Sequence, residues 1–332
     1  MGKRQARINA LRQDVEALCR HTRPVGSHGH DEAQSWLVRR VEALGLAGYH
    51  GRHLWPYEAG EQGERVIGGF PVVDSFANVL ARVPGRDSAL EPILLGAHYD
   101  TCGHQPGADD NAAAIAIVLD VAAALQRAPL ERDVILAFFD GEEPPHFLTE
   151  RMGSIRFYED QRREQIHFAV ILDLCGHDVP IPGREDLLFI TGMESDPGLE
   201  SLVQEGNGIA GLRTVAVLNR YVQDLSDHHA FRLDGRPYLF LSCGRWEHYH
   251  MPTDTPEKLN YEKMSLIADY VLHAATAADT RALGGQQHDP ASTEAALIRE
   301  HMGVFLDALD IQVQTRADID GFVPLAMGYL GL

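Results

Sequence analysis

The stretch that decides the fold is Pro92–Asn111, PILLGAHYDTCGHQPGADDN. It begins with an apolar run, Ile93–Ala97, of the length expected for a buried strand. The run leads into His98 and Asp100, which are two positions apart and therefore point to the same face of a strand. A loop containing Gly and Pro then leads to Asp110, just before an alanine-rich segment. An imidazole held by a carboxylate, with a second carboxylate supplied by a loop, is typical of a metal site, although His-x-Asp alone is a weak signal.

The composition favours a large soluble globular protein. The chain has 332 residues, which suffice for one large α/β domain. Hydrophobic residues make up 45% and charged residues 23%, both ordinary values for this class. With 29 basic and 48 acidic residues the net charge is −19, which disfavours nucleic acid and anionic membranes as partners.

The expected compartment and redox state follow from the N-terminal segment, the apolar runs and the cysteine spacing. Residues 1–20 lack the apolar core of a signal peptide, and no run approaches the roughly 20 apolar residues of a membrane span. The cysteines are widely separated and form no CxxC pair: Cys19, Cys102, Cys175 and Cys243. We therefore expect neither a disulfide framework nor a thiolate zinc site, and we expect a cytoplasmic protein without a membrane partner.

Apolar runs alternate with amphipathic segments from Asn78 onwards. The predicted strands are Asn78–Val83, Ile93–Ala97, Asp133–Phe139, Phe168–Leu174, Leu187–Thr191, Thr214–Leu218 and Tyr238–Ser242. The predicted helices are Asn111–Gln126, Gly153–Gln161, Pro197–Glu205, Asp227–Leu233 and Pro256–Ala278. This order predicts an α/β fold, a mostly parallel mixed sheet sandwiched between helices, in which ligands bind at the carboxyl ends of the strands.

The remaining segments lie at the two ends of the chain. Two amphipathic helices are expected at Lys3–Cys19 and from Asp31 to about Gly45, and residues 47–76 predict a long loop or a surface hairpin. We expect one domain at residues 1–282, followed at 283–332 by a linker, a helix over Thr293–Leu309 and a strand-like tail over Ile311–Leu332. Because the tail is apolar, either the domain or a second subunit in a homo-oligomer must cover it.

Acidic and histidine side chains follow the predicted strands in a consistent way. The candidates are His98, Asp100, Asp109, Asp110, Glu142, Glu143, Asp173 and His250. Charges at such buried positions are costly unless they are paired or coordinate a metal. Imidazoles and carboxylates without thiolates indicate zinc or another divalent catalytic metal. Two histidines and three carboxylates fit two ions about 3.5–4 Å apart that share one carboxylate.

The order of these motifs resembles a known family. GAHYD, GADDN, DGEE, LD and YHMPTDTPEKL occur as in the co-catalytic di-zinc aminopeptidase family, whose superfamily also contains glutamate carboxypeptidases and glutaminyl cyclases. The segments RPVGSHGHDEAQSWLVRRVEALGL and SFANVLARVPG match the opening of that family. The resemblance covers roughly residues 20–280 and implies a zinc-exopeptidase fold with an appended C-terminal helix and tail. It also implies a metallopeptidase that removes N-terminal residues from short peptides or hydrolyses a related small amide.

Carried over by motif, the resemblance implies two zinc ions with one ligand in common. His98, Asp110 and Asp173 would hold one ion, and Asp110, Glu143 and His250 would hold the other. Asp110 would bridge the two.

The same resemblance implies roles for the neighbours of the ligands. Glu142 would be the general base that takes a proton from water and passes it to the leaving amine. Asp100 would orient His98, and the peptide bond Asp110–Asn111 would be cis. The segment with Asp227 and His228 would border the site, although Asp227 also suits a helix N-cap.

One segment favours a different activity within the superfamily. PPHFLTERMGS, which follows Glu143, is longer than the usual peptidase turn and resembles the glutaminyl cyclases. Those enzymes bind a single zinc through the equivalents of Asp110, Glu143 and His250 and cyclise N-terminal glutamine. Against them stand Asn111 and Tyr249, where cyclases tend to have Ser and Trp.

The sequence disfavours two other classes of protein. A non-catalytic peptide-binding relative would have lost ligands, whereas here every ligand position and Glu142 are filled. A serine hydrolase is disfavoured because no GxSxG elbow occurs. The sequence therefore favours a zinc aminopeptidase, with a single-zinc cyclase as the alternative.

Overall fold

The computed structural model describes residues 2–58, 66–67, 70–71 and 75–330. The longer helices are α1 (Gly2–Leu18), α2 (His28–Ala43), α3 (Ala113–Arg127), α5 (Gly198–Gly206), α8 (Tyr261–Asp279), α9 (Ala291–Ala308) and α10 (Arg316–Leu330). Short helices are α4 (Gly153–Arg156), α6 (Asn219–Val222) and α7 (His228–Leu233). The strands are β1 (Ala47–Gly48), β2 (Leu54–Glu58), β3 (Val66–Ile67), β4 (Phe70–Pro71), β5 (Ser75–Val83), β6 (Ile93–His98), β7 (Val134–Phe139), β8 (Phe168–Leu172), β9 (Leu187–Thr191), β10 (Arg213–Ala216) and β11 (Tyr238–Ser242).

The described strands build one mixed sheet of nine strands and a separate β3–β4 pair. The order in the sheet is β1-β5-β7-β6-β8-β11-β9-β10, and β2 also pairs with β5. The four central strands β7, β6, β8 and β11 run parallel. Their carboxyl ends therefore meet at one edge of the sheet, where ligands bind in such folds.

Helices cover both faces of the sheet. Strand β6 is fully buried, and its side chains alternate between two cores: Ile93 and Leu95 pack into one, and Leu94 into the other. The larger core includes α3, which is apolar nearly all round because it packs between the sheet, α1 and α8. The predicted α/β fold class, a mixed sheet between helices with appended C-terminal helices, is confirmed.

The predicted loop or hairpin at 47–76 is wrong for part of its length. Leu54–Glu58 is a sheet strand paired antiparallel with β5, and Trp55 and Tyr57 are buried while their neighbours are exposed. Pro56 is tolerated because β2 pairs with β5 alone. Residues 66–67 and 70–71 form a two-stranded pair, and the rest of 59–74 lies outside the described residues.

The strand-like tail is also corrected, because most of it is the helix α10. Thr315 and Asp318 form a capping arrangement at its start, in which the Asp318 carboxylate accepts hydrogen bonds from the backbone N–H groups of Gln314 and Thr315. The apolar residues that face the domain recur at helical spacing: Ile319, Phe322, Val323, Ala326 and Met327. Pro324 is accommodated inside the helix. The tail thus packs back on the domain.

Two further expectations concern the whole chain. Each of the four cysteines is described and none forms a disulfide. Among the described residues, no helix combines the length and the apolarity needed to cross a bilayer.

Candidate metal centre

The predicted site residues come together at the carboxyl edge of the parallel strands. His98 ends β6, Glu142 and Glu143 follow β7, and Asp173 follows β8. Asp110 arrives from the loop before α3, and His250 from the loop after β11. Each side chain is therefore delivered by the end of an apolar strand or by an adjoining loop.

One cluster consists of His98, Asp110 and Asp173, and all three side chains are buried. His98 Nε2 lies 3.3 Å from Asp110 Oδ1 and 3.6 Å from Asp173 Oδ1. The three candidate ligand atoms lie within 4.8 Å of one another. This spacing leaves room for one small cation among them.

A second cluster lies on the other side of Asp110. His250 Nε2 is 3.2 Å from Asp110 Oδ2 and 3.1 Å from Glu143 Oε2. His250 has a φ of +56°, a left-handed conformation that is uncommon for a residue with a side chain. The two oxygens of Asp110 thus face two different histidines.

Hydrogen bonds from the backbone around Asp110 fix the position of this residue. Its N–H and that of Asp109 donate to the two carboxylate oxygens of Asp254, at 3.1 and 2.9 Å. The segment Ala108–Ala112 is irregular, and the peptide bond Asp110–Asn111 is cis. The Asn111 side-chain amide donates to the carbonyl oxygen of Leu172 at the end of β8, which ties this loop to the strand that carries Asp173.

Asp100 connects the histidine to the glutamate pair. One of its oxygens lies 3.4 Å from His98 Nδ1. The same carboxylate accepts hydrogen bonds from the backbone N–H groups of Glu142 and Glu143, at 3.1 and 3.0 Å. The Glu142 carboxylate lies 3.8 Å from His98 Nε2, at the edge of the first cluster. One buried carboxylate therefore fixes the relative positions of an imidazole and both glutamates.

The polar atoms of the two clusters lack the partners that buried groups normally have. The buried atoms without a hydrogen bond in the described structure include His98 Nδ1 and Nε2, Asp110 Oδ2, Glu143 Oε1, Asp173 Oδ1 and His250 Nε2. His98 Nδ1 faces Asp100, and the other five atoms belong to the two clusters. Buried polar atoms are nearly always satisfied, so five such atoms in neighbouring clusters require an explanation. All are nitrogen or carboxylate oxygen donors of the kind that bind zinc. The residues therefore fit a divalent metal.

The electrostatics show how strongly this place attracts positive charge. Burial acts to lower the pKa of His98, yet the carboxylates around it, Glu142 foremost, raise this pKa well above its usual range. Burial likewise opposes protonation of His250, but Asp110, Cys102 and Glu143 raise its pKa to about 12. Burial and the charge of Asp110 raise the pKa of Glu143 to about 8.

Two residues near the clusters were missed by the sequence analysis. Cys102 places its sulfur within 4.8 Å of ligand atoms of Glu143 and His250. Asp254 was quoted within the motif HMPTDTP but received no role, although it holds the loop of Asp110. Sequence spacing does not predict either contact, because the residues that meet, such as Cys102 and His250, are far apart along the chain.

Asp227 borders the clusters, as the resemblance implies, and it does not cap the helix that it precedes. It makes no capping hydrogen bond to α7, and neither of its buried carboxylate oxygens has a hydrogen-bond partner in the described structure. Burial raises its pKa to about 7, against the opposing charge of His98. Asp227 therefore adds an unpaired carboxyl beside the first cluster.

The neighbouring His228 is fully buried and stacks on Phe240, with ring centroids 4.2 Å apart.

A cavity of about 270 Å³ opens from the clusters. At one end it is lined by Asp110, Glu142, Glu143, Asp173 and His250. Its other walls are largely apolar, with Phe189, Val217 and Phe240 from the sheet region. Such a cavity, apolar with a few convergent polar groups at one end, is the usual form of a small-ligand site.

The C-terminal helices supply the far wall of this cavity. The lining includes Ile298 and Met302 of α9 and Phe322, Val323, Ala326 and Met327 of α10. Arg316 fixes α10 to α9, since its guanidinium lies 2.5 Å from the buried carboxylate of Glu294. Glu294 in turn accepts a hydrogen bond from the backbone N–H of Leu218.

Curated relatives align over part of the chain. An uncharacterized Escherichia coli protein, YfbL, is 26% identical in an alignment of 227 positions that covers 59% of this chain and 69% of that protein. The mouse endoplasmic reticulum metallopeptidase 1 is 32% identical in an alignment of 223 positions that covers 63% of this chain. This chain spans 24% of the mouse protein.

Solved structures share the fold. A glutaminyl cyclase from Fimbriiglobus ruber superposes with a TM-score of 0.63 at 20% identity, covering 81% of this chain and 95% of the cyclase. A leucine aminopeptidase precursor from Bacteroides thetaiotaomicron superposes with a TM-score of 0.64 at 16% identity, covering 81% and 96%. Both activities thus occur on this architecture.

The family follows from the sequence profile. Residues 78–275, more than half of the chain, match Peptidase family M28. The match contains β6, β7, β8 and β11 and all the predicted site residues, and it ends before α9 and α10. The chain therefore belongs to peptidase family M28, whose enzymes are zinc-dependent hydrolases.

Proposed function

We propose that the protein is a di-zinc aminopeptidase that hydrolyses the N-terminal peptide bond of short peptides or a related small amide. The observation that carries this proposal is the position of Asp110. Its two oxygens lie 3.3 and 3.2 Å from the nitrogens of His98 and His250, which belong to separate clusters. A carboxylate so placed suits the bridging position between two ions.

The residues divide the work of binding and proton transfer. His98, Asp110 and Asp173 would hold one zinc ion, and Asp110, Glu143 and His250 the other. The ions supply positive charge that lowers the pKa of water towards about 7 and polarises the substrate carbonyl. Asp100 is a positioning residue because it contacts His98 and binds the backbone of both glutamates.

Glu142 is the proposed general base. It lies at the edge of the first cluster and lines the cavity, so a substrate amide and a water molecule can both reach it. It takes a proton from the attacking water and delivers it to the departing amine.

The C-terminal helices determine which substrates fit, in this proposal. The far wall formed by α9 and α10 is apolar, whereas the reactive end of the cavity is acidic. A substrate would place its scissile bond at the acidic end and an apolar side chain against Met302 and Phe322. Residues 283–332 would thus form part of the substrate site.

A second candidate function is glutaminyl cyclisation. It is favoured by the long turn after Glu143, which resembles that of the cyclases and places Phe147 at the cavity. A cyclase would need a single zinc at Asp110, Glu143 and His250, which leaves His98 and Asp173 unligated.

Metal content and product identity, measured together, distinguish the two functions. We expect freshly purified protein to carry two zinc ions per chain and to hydrolyse aminoacyl-anilides. Asp173→Asn should weaken zinc binding at the first cluster by about tenfold or more and abolish that hydrolysis. One ion per chain, with pyroglutamate formation from a Gln-initiated peptide that survives Asp173→Asn, would replace the peptidase by the cyclase.

A further inference from the structure

Cys102 lies beside the second cluster and has no role in the proposed function so far. Its sulfur, a carboxylate oxygen of Glu143 and a ring nitrogen of His250 all lie within 4.8 Å of one another. Cys102 is partly exposed, so its thiol can be reached from solvent. By contrast, Cys175 and Cys243 are buried.

The two neighbours of this sulfur are themselves unsatisfied. Glu143 is 3% exposed, and its Oε1 has no hydrogen-bond partner in the described structure. His250 Nε2 likewise lacks a properly oriented hydrogen bond among the described residues. A buried carboxylate oxygen without a partner is costly, and a cation shared with the sulfur would satisfy it.

The residue before Cys102 is fixed by a hydrogen bond, whereas the residue after it is a glycine with open space beside it. Thr101 is 2% exposed, and its N–H donates to the carbonyl oxygen of Arg23 at 3.1 Å. Gly103 adopts a φ of +64°, and no atom lies within 4 Å of the place where a side chain would begin. The chain is therefore fixed immediately before Cys102 and has open space beside Gly103 immediately after it.

We propose that Cys102 is a further metal ligand and that its thiolate binds the same ion as Glu143 and His250. On coordination the S–H bond breaks, a sulfur–metal bond forms and the proton passes to solvent. Zinc accepts mixed sulfur, nitrogen and oxygen ligands, with a zinc–sulfur bond of about 2.3 Å. The second cluster would then differ from the first, which offers only nitrogen and oxygen, and would favour zinc over harder ions such as Mg²⁺ or Mn²⁺.

Cobalt(II) substitution tests this ligand directly, without an activity assay. A cobalt–thiolate bond produces an intense charge-transfer absorption in the near ultraviolet, whereas nitrogen and oxygen ligands do not. We expect this band in the cobalt-loaded protein and in Cys19→Ser. The Cys19 thiol follows the end of α1, is also partly exposed, and belongs to none of the ligand clusters found among the described residues. We expect Cys102→Ser to bind cobalt without the band and to lose about tenfold or more in zinc affinity at one of two sites.

Absence of the band from the cobalt-loaded wild-type protein, or its persistence in Cys102→Ser, overturns the proposal. A second measurement uses the wild-type chain alone, in case the variant does not fold. Alkylation of Cys102, followed by mass spectrometry, should be fast in the chelated protein and strongly slowed by added zinc; equal rates would again reject the ligand. Both outcomes are independent of whether the enzyme hydrolyses or cyclises its substrate.

Discussion

The two ends of the cavity are built in different ways. The acidic end is assembled from the ends of parallel strands and from loops, and backbone hydrogen bonds to Asp100 and Asp254 fix it. The far end is a pair of helices, α9 and α10, that packs on the domain through apolar side chains. The acidic end lies within the M28 match at 78–275, and the helix pair lies beyond it.

This difference suggests that chemistry and substrate choice are separable in this molecule. A change at the acidic end should alter turnover on every substrate, because it alters the reacting groups themselves. A change at the far end should alter the ratio between large and small substrates, because it alters only the space available. Variants at each end of the cavity test whether turnover and substrate choice can be changed independently.

The largest effect is expected for Glu142→Gln at the acidic end. The amide keeps the size of the side chain but cannot accept the proton of water, so kcat should fall by about 10²–10⁴. Zinc content should stay unchanged, since Glu142 is not a proposed ligand. Glu150→Gln, an exposed change on the same connection, is the matched control and should retain activity. Full activity of Glu142→Gln would show that another group is the base.

A smaller effect is expected at the far wall. Phe322→Ala enlarges the cavity and Ala326→Phe fills it, so the two variants should shift selectivity in opposite directions. The measurement is the ratio of kcat/KM for a large apolar aminoacyl-anilide to that for the alanyl compound. Ala326→Phe should lower this ratio by about 10–200-fold. Phe322→Ala should raise this ratio, most clearly when the large substrate is bulkier still.

The control for this pair lies on the same helix. Leu325 is 69% exposed and points away from the cavity, so Leu325→Ala should leave the ratio unchanged. Because Phe322 is nearly buried, its removal also costs stability, of the order of 3–5 kcal/mol for a fully buried ring, and thermal unfolding should be recorded for each variant. If the ratio is the same in all three variants, α10 does not form part of the substrate site.

The two ends also differ in how far the sequence predicts them. His98, Glu142, Glu143 and Asp173 each follow an apolar strand directly, so a strand prediction already places them at one edge of a sheet. The position of Cys102 could not be predicted in this way, because it depends on where the loop of His250 returns in space.

The far wall was missed for a related reason. The spacing of Ile319, Phe322 and Val323 and the Thr315–Asp318 cap indicate a helix. The continuous apolar letters at 322–332 favoured a strand instead, and Pro324 is costly inside a helix. Even a correct helix prediction would not have shown that α10 lies against the cavity. That contact depends on the packing of Arg316 against Glu294, residues of two different helices.

The smallest expected effect concerns this last contact, and it carries a pH signature. Burial raises the pKa of Glu294 to about 7 from its usual 4.5, even with Arg316 beside it. A carboxyl whose pKa is raised on folding costs stability as the pH rises from the unfolded value to the folded one. Arg316→Gln removes the compensating charge, so the raised pKa should rise further. The variant should therefore lose little unfolding free energy at pH 5, where Glu294 is protonated in the folded protein.

At pH 8 the same variant should lose more, about 1.5–3 kcal/mol, because the buried carboxylate then lacks its charged hydrogen-bond donor. Urea unfolding at the two pH values measures the difference, and Glu294→Gln combined with Arg316→Gln should remove the pH dependence. If the helix pair forms the wall of the substrate site, Arg316→Gln should also lower selectivity for large side chains at pH 8 while zinc content stays unchanged. A variant that loses stability but keeps its selectivity would show that the wall is held in place by apolar packing alone.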